Sequence, residues 1–307
     1  MASSRSARKA FIQSDLFTFY IGEEKKPFIV HSKAVAATSE HFRAMINGDM
    51  VEAKTRSAEI LDMEPSDFAR FLEYAYRRNY TIPSWKLDET IPGQPKNDTP
   101  AVVPSPPPPE EVIEHVPPNE LPSPPPEPEP PVPNDPSTIP STLRPLKKST
   151  KSKRNKMAFR LAFQSQKFFL SGPDSTMIEN FRPEGNSAPE QDFVPVFLAH
   201  ARLYTFAEMR LVYPLRNLVL HKLYKTLMCF QLYNHRVGDI VELARYAYDH
   251  GADRSKDGTL DALRQMVVDY IACEVDTIGK HADFIRLMED GGEFVSDFWN
   301  IVSRFTA

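Results

Sequence analysis

Glycine is scarce in this chain, with 11 in 307 residues, and none stands in a G-x-G-x-x-G or P-loop pattern. The backbone cradle that holds a nucleotide's phosphates is therefore missing. Cysteine is scarcer still: Cys229 and Cys273 are the only two. Far apart and set within apolar helical patterns, they exclude a disulfide framework and read as buried free thiols of a reducing compartment. The histidines, among them His200, His221, His235 and His281, are scattered, and none forms H-x-x-x-H, H-E-x-x-H or a Cys/His cluster. No zinc site, metal or cofactor is expected. A basic excess is lacking as well: 37 Lys and Arg stand against 41 Asp and Glu, a formal charge of −4. That argues against a nucleic-acid partner, since neutralising phosphates needs a clearly basic surface. No apolar run approaches bilayer length, and MASSRSARKAFIQ is basic without a signal-peptide core. No membrane partner is expected, and the location read is intracellular, in cytoplasm, nucleus or both.

What the chain has in excess is proline, unevenly placed. Of 29 prolines, 22 fall between Pro83 and Pro145. Residues 86–156 read as a disordered, proline-rich insertion with polyproline II character, because so little apolar surface cannot offset the entropy of ordering. The insertion ends in KKSTKSKRNK, where Lys147, Lys148, Lys151, Lys153, Arg154 and Lys156 are basic. That run is either a nuclear-import signal or a solvated stretch balancing the acidic insertion. The P-x-x-P spacings also admit an SH3 or WW reading, although proline-rich segments satisfy that pattern by chance.

The rest is patterned. Residues 1–13 read as a flexible tail. SDLFTFYIG and PFIV, separated by GEEKKP, predict two antiparallel strands. The second runs into one helix over Val35 to Ile46, with Val35, Phe42, Met45 and Ile46 near one face. A turn at Asn47 and Gly48 follows, then a third strand over Ala58 to Met63. The next helix is capped by Ser66 or Asp67 and carries Phe68, Phe71, Leu72 and Ala75 at i, i+3, i+4 and i+7. Residues 157–193 read as a partly ordered connector. From Val194 the pattern is helical: a helix with Phe197, Ala201 and Tyr204, then one with Pro214 in its first turn, then helices capped at Asp239 and Thr259. Two more run around Phe284 to Met288 and Phe294 to Phe305, divided by Gly291 and Gly292. His31, at a strand end before a helix, reads as a hydrogen-bonded structural histidine and not a general base, since no carboxylate or serine stands at a recognisable spacing. The aromatic positions 68, 71, 74 and 76 read as core.

The segment VHSKAVAATSEHFRAMINGDMVEA, with SDLFTFYIG before it and AEILDMEPSDFARFLEYAYRRNY after it, resembles the core of a BTB/POZ domain. FLAHARLYTFAEMRLVYPLRNLVLHKLY is similar to that family's next helical pair, and the final helices resemble the extension that follows BTB domains of filamentous-fungal type. The resemblance implies an α+β BTB/POZ fold with a C-terminal all-helical extension, interrupted by the proline-rich insertion. The parts are then 14–85 (first part of the BTB domain), 194–234 (its closing helices) and 235–307 (the extension).

Function follows position by position. In cullin-binding members an apolar residue, any residue and then Glu after the first long helix form part of the cullin contact, and Met50, Val51 and Glu52 match. Asp15 matches the acidic residue that some members bury in a dimer pocket opposite a basic residue just after the histidine. Here that basic position is Ser32, with Lys33 one further on, and the tail is too short for the helix that dimerising members exchange. Asp15 and His31 are thus dimer or structural candidates, and at most a weak homo-oligomer is implied. The expected function is non-catalytic: an adaptor bringing a client protein to a cullin-RING ubiquitin ligase, or a BTB scaffold or regulatory protein with no ligase link, which the basic run would place in the nucleus if it is an import signal.

Overall fold

The fold is taken from a computed structural model, which describes residues 10–90, 148–168 and 181–306. The proline-rich stretch up to Lys147 and the tail through residue 9 lie outside the described residues. Strand β1, Leu16–Ile21, alternates as a half-buried strand must: Phe17, Phe19 and Ile21 face inward, Leu16 and Tyr20 outward. Gly22 and Lys25, both at positive φ (72° and 51°), turn the chain into β2, Lys26–His31, which pairs antiparallel with β1. The helix expected over Val35 to Ile46 is in fact two, α1 (Ser32–Ala36) and α2 (Glu40–Asn47). The break falls at Thr38 and Ser39, whose hydroxyls bond the backbone: Thr38 Oγ1 donates to the Val35 carbonyl at 2.7 Å, and Ser39 Oγ accepts from the Phe42 amide at 3.2 Å. Such residues compete with the helical ladder and start a new helix instead.

A further short helix, α3 (Val51–Thr55), leads into β3 (Ser57–Ile60), which lies parallel to β1 and gives the sheet order β2-β1-β3. Helix α4, Pro65–Arg77, starts earlier than expected. Glu64 precedes it without a side-chain cap bond, and Pro65 occupies the first turn. A proline there needs no cap for its missing N–H. Asp67 is consequently inside the helix, and its side chain is buried.

Beyond α4, residues 86 and 87 do not begin an unstructured stretch: β4 (Lys86–Leu87) pairs antiparallel with β5 (Gln191–Asp192). Helix α5, Lys148–Gln164, also corrects the expectation, because it contains the basic run from Lys148 on. Its far end is anchored. Phe163 is buried against Tyr224 and Tyr270 at 5.6 and 6.2 Å between ring centroids, and Arg160 pairs with Glu274 at 2.5 Å. Then come α6 (Val194–Met209) and α7 (Tyr213–Cys229), and after a 3-10 turn α8 (Val237–His250), α9 (Ala262–Cys273), α10 (Val275–Ile278), α11 (Ala282–Glu289) and α12 (Glu293–Thr306). Pro214 sits in the first turn of α7 as expected. Asp261, not Thr259, caps α9, accepting from the Leu263 and Arg264 amides at 3.0 and 3.3 Å. Cys273 is buried as read, whereas Cys229, at the end of α7, is exposed.

Asp239 is not a cap either. It lies within α8, buried, and accepts the Phe193 amide at 2.9 Å. Burial pushes its carboxyl up to about 7. Buried Arg236 sits beside it at 3.6 Å, and also meets Asp192 at 3.9 Å and Asp88 in a close ion pair. One guanidinium thereby ties the β4–β5 pair to the start of α8.

The core is continuous across the insertion, and the residues on its two sides pack as one compact unit. On the near side Phe42 stacks on Phe71 at 5.1 Å, with Phe68 and Phe19 beside them. On the far side Phe206 of α6 completes the cluster, 5.0 Å from Phe71 and 6.1 Å from Phe42. Aromatic pairs in such geometries add about 0.5–1.5 kcal/mol to simple burial. Phe206→Ala is expected to destabilise the chain by about 3–5 kcal/mol. Chemical denaturation checks it; a loss below 1 kcal/mol would show that the two sides fold without this joint.

Candidate functional site

Met50 precedes α3 in extended conformation (φ −70°, ψ 164°), and Val51 and Glu52 form its first turn. Met50 and Val51 are 56% and 71% exposed, large apolar side chains open to solvent, and Glu52 is half-buried beside them. The short helix is tied at its end. Arg56 takes the left-handed conformation (φ 57°), its amide bonds the Glu52 carbonyl, and its guanidinium donates to the Leu16 carbonyl at 3.1 Å. The same guanidinium lies 3.4 Å from the Asp15 carboxylate.

The structure thus gives Asp15 a basic partner, Arg56, that the sequence pattern did not indicate. It also brings Asp15 within reach of the Met50–Glu52 segment through that one side chain. Asp15 is exposed, not enclosed in a pocket. His31 ends β2, opposite Leu16 of β1. Its Nδ1 is 3.0 Å from the Tyr76 hydroxyl, which also accepts the His31 amide at 2.9 Å. Tyr76 is therefore half-buried and holds the histidine, whereas Phe68, Phe71 and Tyr74 are core as read.

Within the basic run, Lys148 and Lys151 lie on α5, Lys153 and Arg154 are exposed, and Lys156 pairs with Asp276 of α10 at 2.5 Å. That hydrogen bond holds the Asp276 carboxyl below the usual carboxylate range. The run from Lys148 on is consequently helical and is tied to α10 at Lys156. No helix among the described residues is long and apolar enough to cross a membrane.

A sheet ordered β2-β1-β3, with a parallel third strand and helices on its buried face, carries one exposed apolar-acidic segment between α2 and β3. In the comparison with protein families, the model of the BTB/POZ domain matches residues 9–94. This part of the chain is a BTB/POZ domain, a protein–protein interaction module. No curated protein matches the chain.

A buried polar cluster escaped the sequence reading altogether. Tyr80, His200 on α6, and Lys222 and Thr226 on α7 are all buried. The Tyr80 hydroxyl and His200 Nδ1 are 2.7 Å apart, and His200 Nε2 lies 3.4 Å from Thr226 Oγ1. Lys222 Nζ donates to the Tyr80 carbonyl at 2.5 Å and stands 4.2 Å from the centre of the Tyr80 ring. Burial drives His200 down to about 3, helped by the charge of Lys222, so the imidazole is neutral and shares a hydrogen bond with the tyrosine hydroxyl. Scattered in sequence, the four residues signal nothing. They join the chain before the insertion to the helices after it.

Burial lowers Lys222 from 10.5 to about 8. Between those values the unfolded chain binds more protons than the folded one, so this lysine makes stability rise with pH over that window, by about 3 kcal/mol at most. Denaturation at a series of pH values is expected to show the stability of the native chain rising relative to that of Lys222→Met between pH 8 and 10.5, because Cys273 and the buried tyrosines, raised by burial, act alike in both chains. Identical curves would mean that the ammonium is not desolvated.

Proposed function

We propose that the chain is a non-catalytic BTB adaptor that recruits a client protein to a cullin-RING ubiquitin ligase. The observation that carries this reading is the segment Met50, Val51 and Glu52. Two large apolar side chains stand in solvent at the start of a short helix, next to a carboxylate, on a backbone pinned by Arg56. Apolar side chains that desolvate on contact supply affinity, and the carboxylate sets orientation. Pinning lowers the entropy lost on binding.

In this reading the BTB domain is built from both sides of the insertion. Its first part is 14–85 and its closing helices are 194–234. The joint at Phe206 and the Tyr80–His200 pair support that assignment. Residues 235–307 are the helical extension, which with the insertion is the part left to hold a client. With Asp15 exposed and paired to Arg56, and Ser32 where a basic residue would stand, any homo-oligomer is weak.

The alternative is a BTB scaffold or regulatory protein with no ligase link, acting in the nucleus. Lys153 and Arg154, exposed on α5, are what supports an import role. Cullin pull-down separates the two. The native chain is expected to retain a cullin, and Met50→Asp with Glu52→Arg to lose it by more than about tenfold, or 1.4 kcal/mol, at unchanged melting temperature because the changed side chains are not core. Retention by the double variant, or no cullin on the native chain, overturns the adaptor reading.

A further inference from the structure

An acidic cleft lies apart from the adaptor contact. Because β1 and β3 run parallel, the Asp15 and Met50–Glu52 segment sits where both strands begin, and the cleft opens where both end. Its volume is about 760 Å³, in the range of sites that hold a ligand and not a single water. One wall is the β1–β2 turn and the loop between β3 and α4; the other is α6 and α8. The walls therefore come from both sides of the insertion.

Charge decides what fits. Glu23, Glu24, Asp62, Glu64 and Asp67 line the cleft, against Arg202 and His250. An anion entering would meet five carboxylates, so the cleft selects a cation. The acidic lining alone would be a solvated rim, and Asp67 makes it more. Its side chain is 2% exposed. Oδ1 accepts from Arg70 at 2.7 Å, whereas Oδ2 is buried with no hydrogen-bond donor, the Arg202 guanidinium standing off at 3.8 Å. Burial accordingly raises the Asp67 carboxyl above its ordinary value, against the pull of Arg70 and Arg202. A buried carboxylate oxygen left without a donor is costly, and a donor brought by a ligand removes that cost.

The remaining lining describes the ligand's body. Phe206 and Met63 form an apolar floor, and Leu61 and Met209 stand half-exposed at the mouth. Apolar side chains lining a cleft together with carboxylates match a long aliphatic stem with a charged head. We propose that this cleft binds an arginine or lysine side chain presented by a peptide segment of a partner protein, with the cationic head donating to Asp67 Oδ2. The site stands apart from the cullin contact and does not depend on it.

The probes are the peptides acetyl-Leu-Arg-Leu-amide, acetyl-Leu-Lys-Leu-amide and acetyl-Leu-Glu-Leu-amide, titrated into the full chain and followed by amide chemical shifts. Saturable shifts at Gly22, Leu61 and Thr205 are expected with the arginine or the lysine peptide and none with the glutamate peptide. Asp67→Asn is expected to weaken binding by about tenfold. Should that variant fail to fold, Glu23→Gln with Glu24→Gln, on the exposed turn, decides: weaker binding supports the site and unchanged binding overturns it. The absence of a saturable shift with both basic peptides, an equal response to the glutamate peptide, or native affinity in Asp67→Asn each overturns it too. Met50→Asp with Glu52→Arg is expected to bind the peptides as the native chain does, so failure of the adaptor reading leaves this result untouched.

Discussion

Phe206 against the stacked pair of Phe42 and Phe71 is the contact on which the architecture turns. Residues 10–90 make a small sheet with helices, and such a unit buries little apolar surface by itself. Its aromatic face needs a cover. The chain supplies that cover only after the proline-rich insertion, with α6 bringing Phe206 and α7 packing behind it. The Tyr80–His200 hydrogen bond and the Lys222 contact reinforce the same joint with polar groups, and Arg236 does so at the β4–β5 pair. Three separate devices thus join residues on either side of a long intervening segment, which is how a domain tolerates an insertion between its halves.

The same joint positions the surfaces. Met50, Val51 and Glu52 project because α2 and β3 are both fixed to the core and Arg56 closes the short helix between them. The acidic cleft exists because the β1–β2 turn and the β3–α4 loop meet α6 and α8, which the insertion separates from them in sequence. In neither place does a single element make the surface.

Legibility in the sequence followed the range of the interactions involved. Alternation in LFTFYI and the spacing of Phe68, Phe71 and Ala75 were readable because strand and helix periods are local, and the BTB/POZ resemblance rests on these same patterns. The break between α1 and α2 was misread: Thr38 and Ser39 interrupt the ladder through side-chain bonds that an apolar pattern does not register. The start of α4 was misplaced for a related reason, since Pro65 makes a capping side chain unnecessary and leaves Asp67 to turn inward. The basic run of α5 was read as unstructured by composition, yet Phe163, packed on Tyr224 and Tyr270, anchors that helix from a distance. Of the candidate site residues, Met50, Val51 and Glu52 were legible as a motif, whereas Arg56 as the partner of Asp15, and Tyr76 as that of His31, depend on strand register and helix packing.

The sequence alone determined the strongly periodic elements, the interaction-module class and the proline-rich character of the middle of the chain, because periodicity, composition and short motifs are properties of neighbouring residues. Only the tertiary structure decided which charges are buried. Asp67, His200, Lys222, Arg236 and Asp239 look like ordinary polar residues in the chain. They acquire their character from desolvation by elements that lie far away in sequence, and desolvation is a property of the assembled core.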